Sequence, residues 1–309
     1  MAVTYADIDV AVRKKYLPNT INQIFKATPL VVRLLNRHNV MCKGGTKISQ
    51  PVSYGSLPSG SYSGLDPFNT SYAQTHTYAA WDWKNLYANI TIPGDDLAKA
   101  DSDEAIIGLL EPKMDSAKDT MIDMIATQIY GDGTGNGSKD LDGLQNGVDD
   151  GTNFATYGGI TRTTETWWKA SMDSTGGAFT LDMLGTAYGS VTSGGVQPDL
   201  ILMDQTLWDK MESRVQPQQR FISDDLAEVG FQGFKFRKAD VVADQFVPSG
   251  HIYTLNTEYI KLIIHPNRNF SWTPAKQPVD QDAYVRQLLL MCNLIVTAPW
   301  RCRKNLSVT

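Results

Sequence analysis

The order of elements along this chain predicts an α+β fold, and three observations carry that reading. Helical and strand-like stretches are mixed without the regular strand–helix–strand alternation that a purely parallel sheet needs. One segment, residues 101–130, holds a helical repeat of apolar residues far longer than any other. Two β-type runs between residues 43 and 95 enclose a stretch rich in Ser, Gly and Tyr but poor in large aliphatic residues. With 309 residues, 42% hydrophobic and 20% charged, the chain can bury a substantial core elsewhere.

Residues 1–42 read as helical fragments broken by Pro18 and Pro29. Thr28-Pro29 places an N-cap before a proline at the first helical position. The following "LVVRLLNRHNV" puts Leu30, Val31, Leu34 and Leu35 on one face and Arg33 and Arg37 on another. Such pieces are expected to lie against something else. In the next region, "GGTKISQPVSYG" rises to the turn-rich "SLPSGSYSGLDPFNTSYAQ", and "THTYAAWDWKNLYANITIPG" returns. Trp81 and Trp83 share one parity of the return strand, whereas Leu86, Ala88, Ile90 and Ile92 share the other. A flat strand cannot bury both sets on one side, so a bend is expected near Lys84–Asn85. A tip this long with so little to bury is expected to project and to pack on another subunit.

In residues 101–130, Leu110, Met114, Ala117, Met121, Ile125 and Ile129 recur at helical spacing, and Pro112 marks a kink or a short first turn. Beyond it, "TLDMLGTAYGSVTSG" reads as a helix, "PDLILMD" as a buried strand and "QTLWDKMESRV" as a helix. From Phe231 onward strands dominate, ending in "AYVRQLLLMCNLIVTAP".

The glycine cluster "IYGDGTGNGSKDLDGL" poses the main chemical question: a phosphate cradle, a calcium loop, or a helix stop. A dinucleotide fingerprint precedes a helix with other spacing, and a P-loop needs Gly-Lys-Ser/Thr where this chain has Gly137-Ser138-Lys139. An EF-hand requires Glu at the twelfth position, occupied here by Gly143. The reading left is structural, with Gly131 in the left-handed conformation that ends the helix and a flexible turn after it. "GSYSG" has Tyr62 at the position a nucleophile would need. The acid pairs Asp149–Asp150 and Asp224–Asp225 read as solvated, and Trp167, Trp168 and Trp208 as packing residues. The four histidines never fall at metal-ligand spacing, and three well-separated cysteines (Cys42, Cys292, Cys302) fit reduced thiols. No catalytic, cofactor or metal residue is expected.

Charge is uneven. Eight Lys/Arg against Asp7 and Asp9 make residues 1–50 net +6, residues 301–309 add +3, and the body between carries −14 to give −5 overall. A basic N-terminal segment on an acidic body can pair with neighbouring copies, an acidic partner or nucleic acid, while the total argues against a dedicated DNA-binding protein. The N-terminus lacks a signal-peptide pattern, and no apolar run is long enough for a spanning helix, so a soluble protein kept inside a cell is expected.

Four stretches in order carry a resemblance: "ATQIYGDGTGNGSKDLDGL", "QPDLILMDQTLWDKM", "GFQGFKFRKADVVADQFVPSGHIYTLN" and "LLMCNLIVTAPWRCRKNL". The chain resembles the major capsid proteins of tailed bacteriophages, with the Hong Kong 97-like fold shared with encapsulins. The resemblance implies an N-terminal arm over 1–42 and an extended hairpin with flanking peripheral strands over 43–95. It further implies a spine helix and peripheral domain over 96–140, an axial domain over 141–270, and closing peripheral strands with a tail over 271–309. It implies no enzyme and no cofactor, but a protein that self-assembles as hexamers and pentamers into an icosahedral head in the virion, made in the bacterial cytoplasm. A separate scaffolding protein, a portal, a possible decoration protein and double-stranded DNA held non-specifically are the expected partners, with no membrane. Tyr62, Phe68, Trp81 and Trp83 are the expected intersubunit contacts. Arg13, Lys14 and Lys15 are expected to face the lumen or a scaffold, and Gly131, Gly133 and Gly135 to act as a hinge. Lys43, Lys47 and Lys84 lie near the hairpin, but nothing licenses a covalent Lys–Asn crosslink. An encapsulin shell protein, or a phage decoration or surface-binding protein, is the alternative.

Overall fold

A computed structural model describes residues 29–38, 40–41, 45–99, 103–215 and 233–309. Arg13, Lys14, Lys15, Cys42, Lys43 and Asp224–Asp225 lie outside these described residues. Two large sheets organise the rest, beside the hairpin and the short pair β5 (Thr156–Tyr157) and β6 (Ile160–Thr161). The first is a five-stranded sheet built on β14 (Ala283–Val296). Along one side β14 pairs antiparallel with β4 (Lys84–Pro93), from Ala283 opposite Pro93 to Cys292 opposite Lys84. It also pairs with β12 (Ile260–Ile264) and β13 (Ser271–Trp272), and β1 (Val40–Met41) lies parallel to β12. The apolar run of β14 reflects this central place: from Cys292 to Val296 every residue is buried.

The long helix Asp103–Ile129 packs on β4. All six residues of its predicted stripe, Leu110 through Ile129, are buried. Pro112 sits inside the helix, within its first three turns.

The second sheet has six strands in the order β7 (Ser171–Asp173), β15 (Arg303–Asn305), β11 (Ile252–Leu255), β8 (Leu200–Met203), β10 (Ala239–Ala243) and β9 (Gly233–Phe236). β8 is the predicted "LILM" strand and is wholly buried, parallel to β10 and antiparallel to β11. Helices Leu181–Val191 and Gln205–Val215 supply Leu184, Tyr188, Leu207, Trp208 and Met211 to the core of this unit. Thr180 caps the first of them by accepting from the Met183 amide at 3.1 Å. Trp208 stacks on Phe234 and Trp168 is fully buried, so these tryptophans are packing residues.

The hairpin consists of β2 (Lys47–Ser53) and β3 (His76–Asp82), in register from Lys47 opposite Asp82 to Ser53 opposite His76. Trp83 separates β3 from β4. The break falls one residue before the expected bend. It switches the buried parity from Ala79 and Trp81 to Leu86, Ala88, Ile90 and Ile92.

Three expectations require correction. First, the helical piece and the hairpin strands, read as elements that must find cover on something else, find it in the chain's own core. Leu30, Val31 and Leu34 of the helix Pro29–His38, with Ile48, Val52, Ala79 and Trp81 of the hairpin, belong to the main core. Their partners lie beyond residue 95, so a local window cannot see the cover. Arg33, placed on a polar face, is instead buried, with Nη1 2.5 Å from Asp240 and Nε 3.5 Å from Asp199. Second, Asp149 is not solvated but fully buried, 2.7 Å from the equally buried Lys304 Nζ. Burial alone would raise its carboxyl, but Lys304 and donors from Asn153 and Gly151 hold it below the ordinary range. Third, Gly131 is not left-handed; Gly133 is, at φ +80°. The helix stops because Gly143 folds back onto its end. A Cβ at Gly143 would lie 2.4–2.7 Å from the carbonyl oxygens of Gly131, Gln128 and Ile129.

Candidate assembly surface

The hairpin divides into an exposed tip and a pinned root. Between β2 and β3, residues 54–75 contain no strand or helix, and Asp66 is their only charged residue. Leu57, Tyr62, Leu65, Phe68 and Tyr72 are all exposed, Leu65 and Tyr72 almost fully. The rings of Tyr62 and Phe68 meet edge to face with centroids 4.9 Å apart. Large apolar side chains gathered on a surface without cover mark an interaction site. Of the four expected intersubunit residues, the structure therefore leaves Tyr62 and Phe68 available at the tip.

The two tryptophans belong to the root. Trp81 is buried by its own chain, its ring 5.5 Å from that of Tyr157 and against Gly158, so its burial needs no neighbour. That corrects its assignment as a contact buried between subunits. The Trp83 indole donates to the Gly45 carbonyl at 3.0 Å, and its ring meets His265 edge to face. The Ala80 amide donates to the Gly158 carbonyl at 2.9 Å. Further out, Tyr54 stacks on Trp167 with centroids 4.5 Å apart and planes 13° from parallel.

Asn293 joins this root to the end of the long helix, a role that no motif or periodicity marks. It sits, fully buried, in an otherwise apolar run of β14. Its Nδ2 donates to Asp82 O at 2.9 Å and Asp142 Oδ2 at 2.8 Å, while its Oδ1 accepts from the Asp142 amide at 3.0 Å. Lys84 adds a donation to Ser138 O at 2.7 Å and an ion pair to Asp142 at 3.6 Å. The glycine loop is thus tied down rather than free. Asp132 accepts from the Thr134 amide and hydroxyl, and a Cβ at Gly135 would meet the Asp140 carboxylate.

A second link runs from the helix end to the six-stranded sheet. The Tyr130 hydroxyl donates to Asp244 at 2.7 Å, both groups being buried. Burial raises the Asp244 carboxyl above its ordinary range despite donations from the Phe246 amide and Tyr130. Among the described residues no three His, Cys, Asp or Glu side chains group to hold a metal, and no helix is long and apolar enough to cross a membrane. The Cys292 thiol is fully buried, which pushes its pKa to about 12 and leaves it unreactive.

Comparison with known proteins agrees. The family model for the SU10 major capsid protein matches residues 110–292. Similar solved structures include the cyanophage A-1(L) capsid asymmetric unit, at 14% identity and TM-score 0.66, covering 90% of this chain and 92% of that one. The capsid of Myoviridae phage XM1 matches at 12% identity and TM-score 0.56, over 90% and 92%. The SrpI encapsulin of Synechococcus elongatus matches at 14% and 0.57, over 100% and 96%. At these identities the structures establish the shared Hong Kong 97-like fold and do not divide phage heads from encapsulins; the family model does. No curated protein sequence matches the chain. The chain belongs to the SU10 major capsid protein family, and it is a structural protein that self-assembles into the capsid of a tailed phage.

Proposed function

We propose that each copy lies in a ring of hexamers and pentamers with its hairpin tip resting across a neighbouring copy, the rings closing into a head around double-stranded DNA. The observation that carries this reading is the tip itself: exposed apolar side chains, no cover from the described residues of its own chain, and a root held fast by the body. Contacts of this head-to-tail kind close into rings when their rotation allows. Several weak contacts per copy then give a durable shell through multivalency.

The acidic body suits a wall that encloses a polyanion without gripping it, and Arg13, Lys14 and Lys15 are assigned to the lumen or to a separate scaffolding protein. Synthesis in the host cytoplasm, a portal at one vertex and a decoration protein outside complete the proposal. No enzymatic step is needed for this role. Gly131, Gly133 and Gly135 are proposed as a hinge between ring environments; the positive φ of Gly133 supports a turn only glycine adopts freely, while the ties on Asp132 and Gly135 restrict its range.

The test is electron microscopy of the chain co-expressed with its genomic neighbours. Closed shells are expected, emptied of DNA or lost when Arg13, Lys14 and Lys15 are all neutralised. Normal yields of filled particles from that triple variant would remove the assignment of the basic arm. A monomer that never assembles would remove the shell reading.

A further inference from the structure

Among the described residues β4 forms one ladder only, to β14, so its other edge is unpaired by any described strand. That edge does not face open solvent. A groove of about 310 Å³ runs between it and the long helix, lined by consecutive residues of β4 from Tyr87 to Thr91 and by Lys113, Ser116 and Thr120. Residues of both strand parities line it, as only an edge permits. Lys113 Nζ donates to the Thr91 carbonyl at 3.1 Å, so Thr91 turns its polar backbone away from β14. By the alternation of an antiparallel ladder, Tyr87 and Asn89 do the same. Their N–H and C=O groups point into the groove, an arrangement that accepts an added strand.

We propose that this edge receives residues 68–74 of the hairpin tip of a second copy as an added antiparallel strand. The inference rests on the proposed reading that the tip lies on a neighbour, and names where it lands. Three features select this occupant. The segment Phe68–Gln74 holds no Gly, Pro or charge, and its ties are local and exposed: the Ser71 amide on Asn69 Oδ1 at 3.1 Å, Gln74 Nε2 on the His76 carbonyl at 3.3 Å, and the Phe68 ring against Tyr62. Extended, it places Phe68 and Tyr72 on one side, toward the apolar floor of Ala88, Ile90 and Ala117. Charge also matches: the tip's one charged residue is Asp66, and the groove's lining holds one cation, Lys113, at its Thr91 end. A strand starting there and running toward Tyr87 sets Asp66 beside Lys113. Each copy then offers one tip and one edge, a contact that propagates around a ring rather than stopping at a dimer.

Charge exchange tests it in the full chain. Asp66→Lys and Lys113→Glu should each lower the particle yield at least ten-fold, and the double variant should recover it. Lys113→Glu gives up the Lys113–Thr91 bond and Asp66→Lys the Ser63 amide, so the melting of dissociated subunits is measured beside the yield; a yield loss that follows melting and is not rescued in the double variant would overturn the docking. Independently, Ser71→Cys with Asn89→Cys, which share the face opposite Phe68 and Ala88, should in a Cys42→Ser background give a ladder of disulfide-linked oligomers from assembled shells and none from dissociated subunits. Wild-type shells with neither rescue nor ladder would overturn the docking and leave the shell reading standing. Crosslinks made with a thiol–amine reagent from Asn89→Cys to Lys14, Lys15 or Lys26 would overturn it in favour of the chain's own arm. No wild-type shells under any condition would overturn both.

Discussion

Replacing Gly158 by alanine tests whether the hairpin root is fixed by contact or merely by its strands. Gly158 has φ +58°, and a Cβ there would lie 2.8 Å from Trp81 Cζ2, 2.9 Å from Cε2 and 3.2 Å from Ala79 Cβ. Trp81 cannot yield easily, since only 3% of it is exposed and it packs on Tyr157. The left-handed conformation costs a non-glycine residue about 1–2 kcal/mol. Overpacking a filled site adds about 1–3 kcal/mol. Gly158→Ala should therefore destabilise the subunit by roughly 2–5 kcal/mol. Gly159 supplies the control: its φ is +75° and nothing lies within 4 Å of its Cβ position. Gly159→Ala should show the backbone cost alone. Urea unfolding of dissociated subunits, followed by tryptophan emission, gives both values. Equal midpoint shifts for the two variants would show that the Trp81–Gly158 contact does not hold the root.

Other perturbations separate stability from assembly. Asn293→Leu leaves Asp82 O and the Asp142 amide without their partner, and should cost about 2–4 kcal/mol in the same urea titration. An unchanged midpoint would show that the network contributes nothing. Asp244 has a raised folded-state pKa, so the folded chain keeps that proton longer than the unfolded chain. Its contribution is fully present below the ordinary carboxylate value and is lost as pH rises through the raised one. Asp244→Asn should flatten the fall in stability across that window; an unaltered slope would refute the assignment. Tyr62→Ser with Phe68→Ser should leave subunit melting within experimental error yet abolish shells seen by sedimentation, because both side chains are exposed in the lone subunit. Shells at wild-type yield would remove these two residues from the interface.

Much of the fold was legible because its signals are local. The stripe from Leu110 to Ile129, the strand Leu200–Met203 and the helix after it each declare themselves within one window of sequence. The parity switch at Trp83 was legible for the same reason, since two periodicities met within a few residues. What escaped were partners far apart in sequence. Arg33 finds Asp240 across 207 positions, Asp149 finds Lys304 across 155, and Asn293 finds Asp82 across 211. A buried charge or amide carries no periodic mark; it is stable only because a distant group arrives to satisfy it. The exposed tip was readable for the opposite reason: it is long and poor in large aliphatic residues, and among the described residues nothing covers its aromatic side chains.

The division of the hairpin into bare tip and fixed root has a mechanical consequence. Seven residues of β2 span roughly 23 Å at about 3.3 Å per residue, so the tip begins at the end of a long lever. A rotation of about 10° at the root would carry the tip roughly 4 Å sideways, nearly the spacing between paired strands. A contact between copies that depends on strand register would be lost by so small a swing. The root must therefore be held to within a few degrees before the tip can find the same place on every neighbour. Two ties at the root and one at the far end of β2 supply that stiffness: Trp81 against Gly158 and Tyr157, Asn293 bonded to Asp82 and Asp142, and Tyr54 stacked on Trp167. They approach the hairpin from different parts of the chain, so loosening one leaves the others to resist rotation. Gly158→Ala should consequently lower shell yield more steeply than its stability cost predicts, because it tilts the lever as well as weakening it. A yield that tracks stability alone, point for point with Gly159→Ala, would mean that direction at the root does not govern assembly.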